Sequence, residues 1–310
     1  MGFFSKAEVV VFKESNSAKD YLEKLEALLP RAKDEVKEKI EREIVITKAG
    51  IAGEENVLFE LRNSNIDMYV LQDVYIETKD GRHAQIDFVV VTPKLTFLIE
   101  CKNLIGDIEI DSKGNFIRTI QYGRRKYREG IYSPISQNER HMEILKERIA
   151  EEKNTILDAM TRQGFHIYHK SLVVLANPKA VLNDRYAKKE VKEKVIRVDQ
   201  LIATMNKMLS EVSILSTSSM KETRKVAESL LQKNKEERPD YISKYEELIK
   251  EMETDQKVVE DIPEQPPKLI CPRCGAELVL RTAKRGQSAG KQFYGCSVFP
   301  KCRFVMNIES

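Results

Sequence analysis

The stretch "AQIDFVVVTPKLTFLIECKN" (residues 84–103) reads as two apolar strands joined by a short turn, with Asp87, Glu100 and Lys102 set among the aliphatic residues. A charge in a buried strand is expensive unless something pairs with it. Side chains alternate faces along a strand, so Leu95, Phe97, Ile99 and Cys101 share one face, and Thr96, Leu98, Glu100 and Lys102 the other. Asp87 falls on the side of Val89 and Val91, and a hairpin pairing would bring it near Glu100. Two carboxylates and an amine at the end of a sheet suit a hard cation such as Mg²⁺, which prefers oxygen ligands and keeps several waters. A plain salt bridge to Lys102 is the other reading of the same spacing. Cys101 reads as a small buried hydrophobe.

Around this pair, "YVLQDVYIET" is expected as a preceding strand, turning at Asp80-Gly81. "DIEIDSKGNFIRTIQ" reads as a hairpin, "SQNERHMEILKERIAEE" as a helix, and "SLVVLAN" as a buried strand. "KVIRVDQLIATMNKML" reads as a strand running into a helix. "AGIAGEENVLFELRNS" follows a glycine-containing turn as a short helix over about 52–62, with Val57, Leu58 and Leu61 facing inward. The expected organisation is a helical arm over 1–45, an α/β domain over 46–208, a charged helical segment and proline-containing linker over 209–267, and a small domain over 268–310. The helical segments offer faces for self-association or a protein partner. Without a run of 18 apolar residues or a recognisable leader, the expected address is cytoplasmic, with no membrane partner.

Four ordered motifs carry a resemblance to a known family: "GEENV" at 53–57, "QIDFVVV" at 85–91, "IECKN" at 99–103 and "SPISQNERH" at 133–141. Residues 46–170 resemble the nuclease-related domain (NERD), a branch of the PD-(D/E)xK nucleases. The resemblance implies a restriction-endonuclease-like α/β sandwich with helical flanking segments. It implies Asp87, Glu100 and the backbone carbonyl of Cys101 as ligands of Mg²⁺ (or Mn²⁺), and Lys102 as the group that activates water. Glu54 and Gln137 would support the site. Ser133 stands where the family usually has Asn, and "TPKLTF" lacks the usual turn glycine. The basic run "YGRRKYREG" (122–130) reads either as a surface for phosphates, through Arg124, Arg125, Lys126 and Arg128, or as a solvated loop. Among the four histidines, His141 alone stands out, one turn after Gln137 on the same helix face.

The tail holds four of the five cysteines and carries eight basic residues against two acidic ones, so its excess of positive charge exceeds that of the whole chain. Cys271 and Cys274 form one close pair, Cys296 and Cys302 another, and a hairpin-length spacer separates them. That is the pattern of a structural four-thiolate zinc site with no open position for catalysis. So small a domain would need the metal to fold. "CPRCG", "LVLRTAKRG" and "FYGCSVFPKC" resemble the C-terminal four-cysteine zinc finger of bacterial type I topoisomerases. That resemblance implies a zinc ribbon that binds DNA, mainly single strands, through Arg281, Lys284, Arg285, Lys291, Tyr294 and Phe299, with Phe293 in its core. Together the two resemblances point to a metal-dependent nuclease acting on DNA. A non-catalytic DNA-binding platform and a protein scaffold are the alternatives.

Overall fold

The computed structural model describes residues 7–14, 17–152, 155–260, 269–283 and 289–307. The chain forms two compact units, Met1–Ile249 and Lys250–Ser310. The first contains, in order, β1 (Val9–Lys13), α1 (Ser17–Leu28), α2 (Asp34–Arg62), β2 (Met68–Glu77), β3 (His83–Val91), β4 (Thr96–Lys102), β5 (Asp107–Ile110), β6 (Phe116–Tyr122) and β7 (Arg125–Ile131). Then follow α3 (Pro134–Ala150), α4 (Thr155–Tyr168), β8 (His169–Leu175), β9 (Leu182–Asn183), α5 (Lys189–Lys192), β10 (Val195–Arg197), α6 (Leu201–Glu211), α7 (Met220–Leu231) and the start of α8 (Ser243–Glu260).

A mixed six-stranded sheet runs β1-β2-β3-β4-β8-β10. β2, β3 and β4 are antiparallel neighbours, whereas β4 and β8 are parallel. Both faces of the sheet are covered, which is why its central strands read as nearly continuous apolar runs. Val57, Leu58 and Leu61 of α2 join Leu201 and Met205 of α6 against Phe88, Val90, Phe97 and Ile99. On the other face Met142 and Leu145 of α3, Phe165 of α4, and Ala227 and Leu230 of α7 meet Leu71, Val89 and Leu98. A smaller sheet, β7-β6-β5-β9, stands beside it.

Several sequence expectations change here. The expected short helix at 52–62 is the last third of α2, because Gly50 and Gly53 continue the helix instead of ending it. Gly53 has a packing reason: a Cβ there would lie 2.6 Å from Asn103 Cβ and 3.3 Å from Ala176 Cβ. The N-terminal arm is not all helix, since Val9–Lys13 pairs parallel with β2. The apolar side chains of the arm are used within the chain: α1 packs on α2 with Leu25, Leu28, Ile40 and Ile44 buried. The segment from 209 to 249 belongs to the first unit, because α7 supplies part of its core. The basic run is a strand. β7 pairs with β6 around a two-residue turn whose first residue, Gly123, has φ 59°.

The two departures from the family pattern have local substitutes. At the glycine-free turn, Thr92 Oγ1 donates to the Leu95 carbonyl and accepts from its N–H. Ser133 caps α3, its hydroxyl accepting from Ser136 N–H, with Pro134 in the first turn.

In the second unit β11 (Leu278–Thr282), β12 (Gln292–Cys296) and β13 (Val305–Asn307) form an antiparallel ribbon. Among the described residues its buried core consists of Cys271, Leu278, Cys296 and Cys302. Among the described residues, no helix is long and apolar enough to cross a membrane.

Candidate active site and zinc centre

Where β3 and β4 meet α2 and α3, an open cleft of about 410 Å³ is lined by Glu54, Asp87, Glu100, Cys101, Lys102, Gln137 and His141, among others. The structure therefore brings all the expected core residues together. Glu100 is 1% exposed. Its Oε1 lies 2.7 Å from Lys102 Nζ. His141 Nδ1 stands 3.4 Å from Oε2. Neither Oε2 nor Nδ1 finds a hydrogen-bond partner among the described residues. Asp87 Oδ2 accepts the Cys101 N–H at 2.7 Å, a bond in the plane of the sheet. Glu54 Oε2 accepts from Gln72 Nε2 at 2.8 Å.

The position of Asp87 differs from simple alternation. Ile86 packs in the same core as Val89, and Phe88 in the opposite one, so the strand slips phase at Asp87. The β3–β4 ladder ends at Phe88 and Ile99. Beyond it the Asp87 carboxylate takes the next β4 amide.

Three carboxylates in one cleft disturb one another's protonation. Burial raises Asp87 well above the ordinary carboxyl range, and the charges of Glu100 and Glu54 add to the effect. Burial also raises Glu54, against the Gln72 hydrogen bond. For Glu100 burial pushes upward too, but His141 and Lys102 outweigh it and hold the group below its usual value. Burial opposes the Lys102 ammonium, yet Glu100 and then Asp87 leave its pKa raised. The neighbouring carboxylates thus favour the charged form of Lys102. Burial likewise pushes the Cys101 thiol up, which fits a side chain packed against the α2-side core.

Polar anchors that the sequence reading missed hold these elements in place. Asn138, fully buried, shares the two protons of its Nδ2 among the Leu98 and Leu172 carbonyls and Ser171 Oγ, all within 3.0 Å, tying α3 to β4 and β8. Asn103 donates to the Ala49 carbonyl and Asn56 to that of Ala176, fastening α2 to the strand ends beside the site. Gln72 and Asp73 were visible as a polar pair inside the apolar run "YVLQDVYIE".

The basic run does not line one face. Strand alternation puts Arg125 with Tyr127, and Lys126 with Arg128 on the opposite side, while Arg124 sits in the turn. All four basic residues are exposed, and Arg128 pairs with Glu109 at 2.9 Å.

In the ribbon, ligand atoms of Cys271, Cys274, Cys296 and Cys302 lie within 4.8 Å of one another. Cys271 and Cys302 sulfurs are 3.8 Å apart, and Cys274 and Cys296 sulfurs 3.4 Å. These are too long for disulfides. They fit the edges of a tetrahedron with Zn–S of about 2.3 Å, which are about 3.8 Å. Burial opposes the Cys271 thiolate, but the N–H groups of Arg273 and Cys274 outweigh it and bring the thiol down to about 7.

Arg281 is turned inward, over the Phe299 ring at 5.7 Å and onto the Cys296 carbonyl at 3.3 Å. Tyr294, rather than Phe293, packs on the cysteine core. Lys291 is exposed, as is Phe299. Lys284 and Arg285 lie outside the described residues.

Comparison with known proteins agrees with this division. Residues 49–176 match the nuclease-related domain, and residues 268–310 the topoisomerase DNA binding C4 zinc finger. The chain joins a nuclease-related domain to a topoisomerase-type zinc finger. Among curated proteins, a 40-residue stretch of the chain is similar to the uncharacterized protein YrdD of Escherichia coli (strain K12), 48% identical over those 40 residues, 13% of this chain and 19% of that protein. It is also similar to DNA topoisomerase 1 of Archaeoglobus fulgidus, 53% identical over 36 residues, 12% of this chain and 5% of that protein. The chain thus spans less than a fifth of either relative's length. No solved structure matches it. The nuclease-related domain supplies the cleft, and the zinc finger supplies the four-cysteine centre.

Proposed function

We propose that the chain is a metal-dependent nuclease of the PD-(D/E)xK type, hydrolysing phosphodiester bonds in DNA, with the zinc finger holding single-stranded DNA. The observation that carries this reading is the convergence of Asp87, Glu100 and Lys102 in one cleft, with Glu100 Oε2 buried and lacking a hydrogen-bond partner among the described residues. A buried carboxylate oxygen without a hydrogen bond is costly, and a divalent cation would satisfy it. The donor set fits Mg²⁺ or Mn²⁺: all oxygen, few in number, with room for waters. Asp87 and Glu100 would hold the ion. The Cys101 carbonyl, on the same strand edge as the N–H that Asp87 accepts, would join them. Such an ion polarises a phosphoryl oxygen and lowers the pKa of a bound water.

Lys102, beside Glu100, orients and activates the water and offsets charge growing on the phosphate. Glu54, fixed by Gln72, and Gln137, at the start of α3, shape the cleft around the attacking water. Hydrolysis breaks one P–O bond and leaves a phosphate monoester and a hydroxyl. Tethering by the finger raises the local concentration of DNA at the cleft. Lys291 and Phe299 are its exposed candidate contacts, with Arg124, Arg125, Lys126 and Arg128 on the nuclease-related domain.

Labelled single-stranded, duplex and branched DNA incubated with Mg²⁺ or Mn²⁺ tests the proposal. Lys102→Ala is expected to lose about 100-fold or more in cleavage rate, as removal of a charge-stabilising group does, while DNA binding persists. Binding without cleavage in the unaltered protein would replace the nuclease by a non-catalytic DNA-binding platform.

A further inference from the structure

Asp73 has a left-handed backbone, φ 52°, although it lies inside β2 and is 5% exposed. Among the described residues, the other non-glycine residues with positive φ, Asp34 and Asn65, are exposed. Such a conformation is strained, and it persists where the surroundings over-determine it.

The surroundings here are extensive. The Asp73 carboxylate accepts from Gln85 Nε2 at 2.8 Å, Ser17 Oγ at 2.6 Å and Arg238 Nη2 at 3.3 Å. Its carbonyl accepts from Lys13 Nζ at 2.5 Å and Arg238 Nη2 at 2.9 Å. Segments from both sides of the fold thus converge on one residue.

Its place in the sheet gives this a purpose. Gln72 pairs with Phe88 and Val74 with Ile86, so Asp73 sits directly across from Asp87. Leu71 and Val74, three residues apart, pack in one core, so β2 slips phase at the same level as β3. At that slip the Asp87 carboxylate accepts the Cys101 N–H. The residue before Asp73 is Gln72, which holds Glu54; its partner Gln85, two residues before Asp87, lines the cleft.

We propose that Asp73 is a positioning residue for the candidate active site, its left-handed backbone and its hydrogen bond from Gln85 setting the paired slip that places Asp87 and Glu54. This rests on the nuclease reading above for its effect on cleavage, but not for its effect on the ion.

The test uses the zinc-loaded full chain, with Mn²⁺ binding followed by the paramagnetic resonance of free Mn²⁺ and Glu100→Ala marking the zero. Asparagine tolerates the left-handed backbone and can accept from Gln85; alanine does neither. Asp73→Ala is expected to lose about 10–100-fold in Mn²⁺ affinity and in kcat, with KM for DNA within about threefold. Asp73→Asn is expected to recover most of that loss. Wild-type Mn²⁺ affinity in a folded Asp73→Ala, or equal losses in the two variants, overturns the proposal. Should Asp73→Ala fail to fold, Gln85→Leu, at an exposed position, carries the test: reduced Mn²⁺ affinity supports the proposal and unchanged affinity overturns it. Asp73-dependent Mn²⁺ binding in a chain that cleaves nothing would sink the nuclease reading alone.

Discussion

The nuclease-related cleft and the zinc finger are both polar centres in the same chain, yet they are held in opposite ways. Around the cleft, two apolar cores and a six-stranded sheet are built from aliphatic and aromatic side chains. That scaffold forces Glu54, Asp87 and Glu100 together at a cost in electrostatic repulsion. In the finger, three of the four buried core residues among those described are the cysteines themselves. The fold makes the first site, whereas the second site makes its fold. A preformed site can store charge that an ion later neutralises; a finger of this size has no surplus stability with which to do so.

Removing zinc should separate the two most sharply. Structural zinc contributes on the order of 10 kcal/mol to the folding of such modules. A chelator is therefore expected to abolish amide-exchange protection over Leu278–Thr282 and Gln292–Cys296, leaving that of Phe88–Val91 intact. Protection of the ribbon after complete zinc removal would break the contrast.

A smaller effect tests how far the cleft depends on close packing. In Gly53→Ala the new Cβ meets Asn103 Cβ, an atom anchored to its own backbone, so α2 must retreat from the strand ends. The expected cost is about 1–3 kcal/mol in urea denaturation, with a weaker divalent-ion site. An unchanged midpoint would show that the helix is not clamped there.

The smallest expected effect runs the other way. Asp87 binds its proton more tightly in the folded state than in the unfolded one, because burial and then Glu100 and Glu54 raise its pKa. Its contribution to metal-free stability therefore falls as pH rises from the unfolded value through the raised one. Asp87→Asn keeps an acceptor for the Cys101 N–H and removes that loss. In metal-free buffer at neutral pH the variant is expected to be about 0.5–2 kcal/mol more stable than the parent, a gain typical of relieving a strained functional site, while losing cleavage. A less stable variant would mean that the cleft stores no repulsion.

How much of this was legible follows from the range of each signal. Strand and helix periodicity placed β2, β3, β4, α3 and β8, because those segments bury a regular stripe. It missed β7, an exposed strand of charged residues with no stripe to show. It ended α2 wrongly at its N-terminal side, because glycine reads as a break unless a close neighbour such as Asn103 is known. The approach of Arg281 to the Phe299 ring, 5.7 Å away, was not legible, since nothing in its local sequence reveals that neighbour.

By itself the sequence determined the chemistry available: an Asp, a Glu and a Lys at strand spacing, and four cysteines in two close pairs. These are covalent facts about order and residue type, and local geometry carries them into the fold. Only the tertiary structure decided that Asp87 leaves its face to accept a β4 amide, that Asp73 stands across from it, and that Gln72, Asn103 and Asn138 fasten the cleft. Those outcomes depend on hydrogen bonds between segments far apart in the chain, whose partners meet only after the sheet has formed.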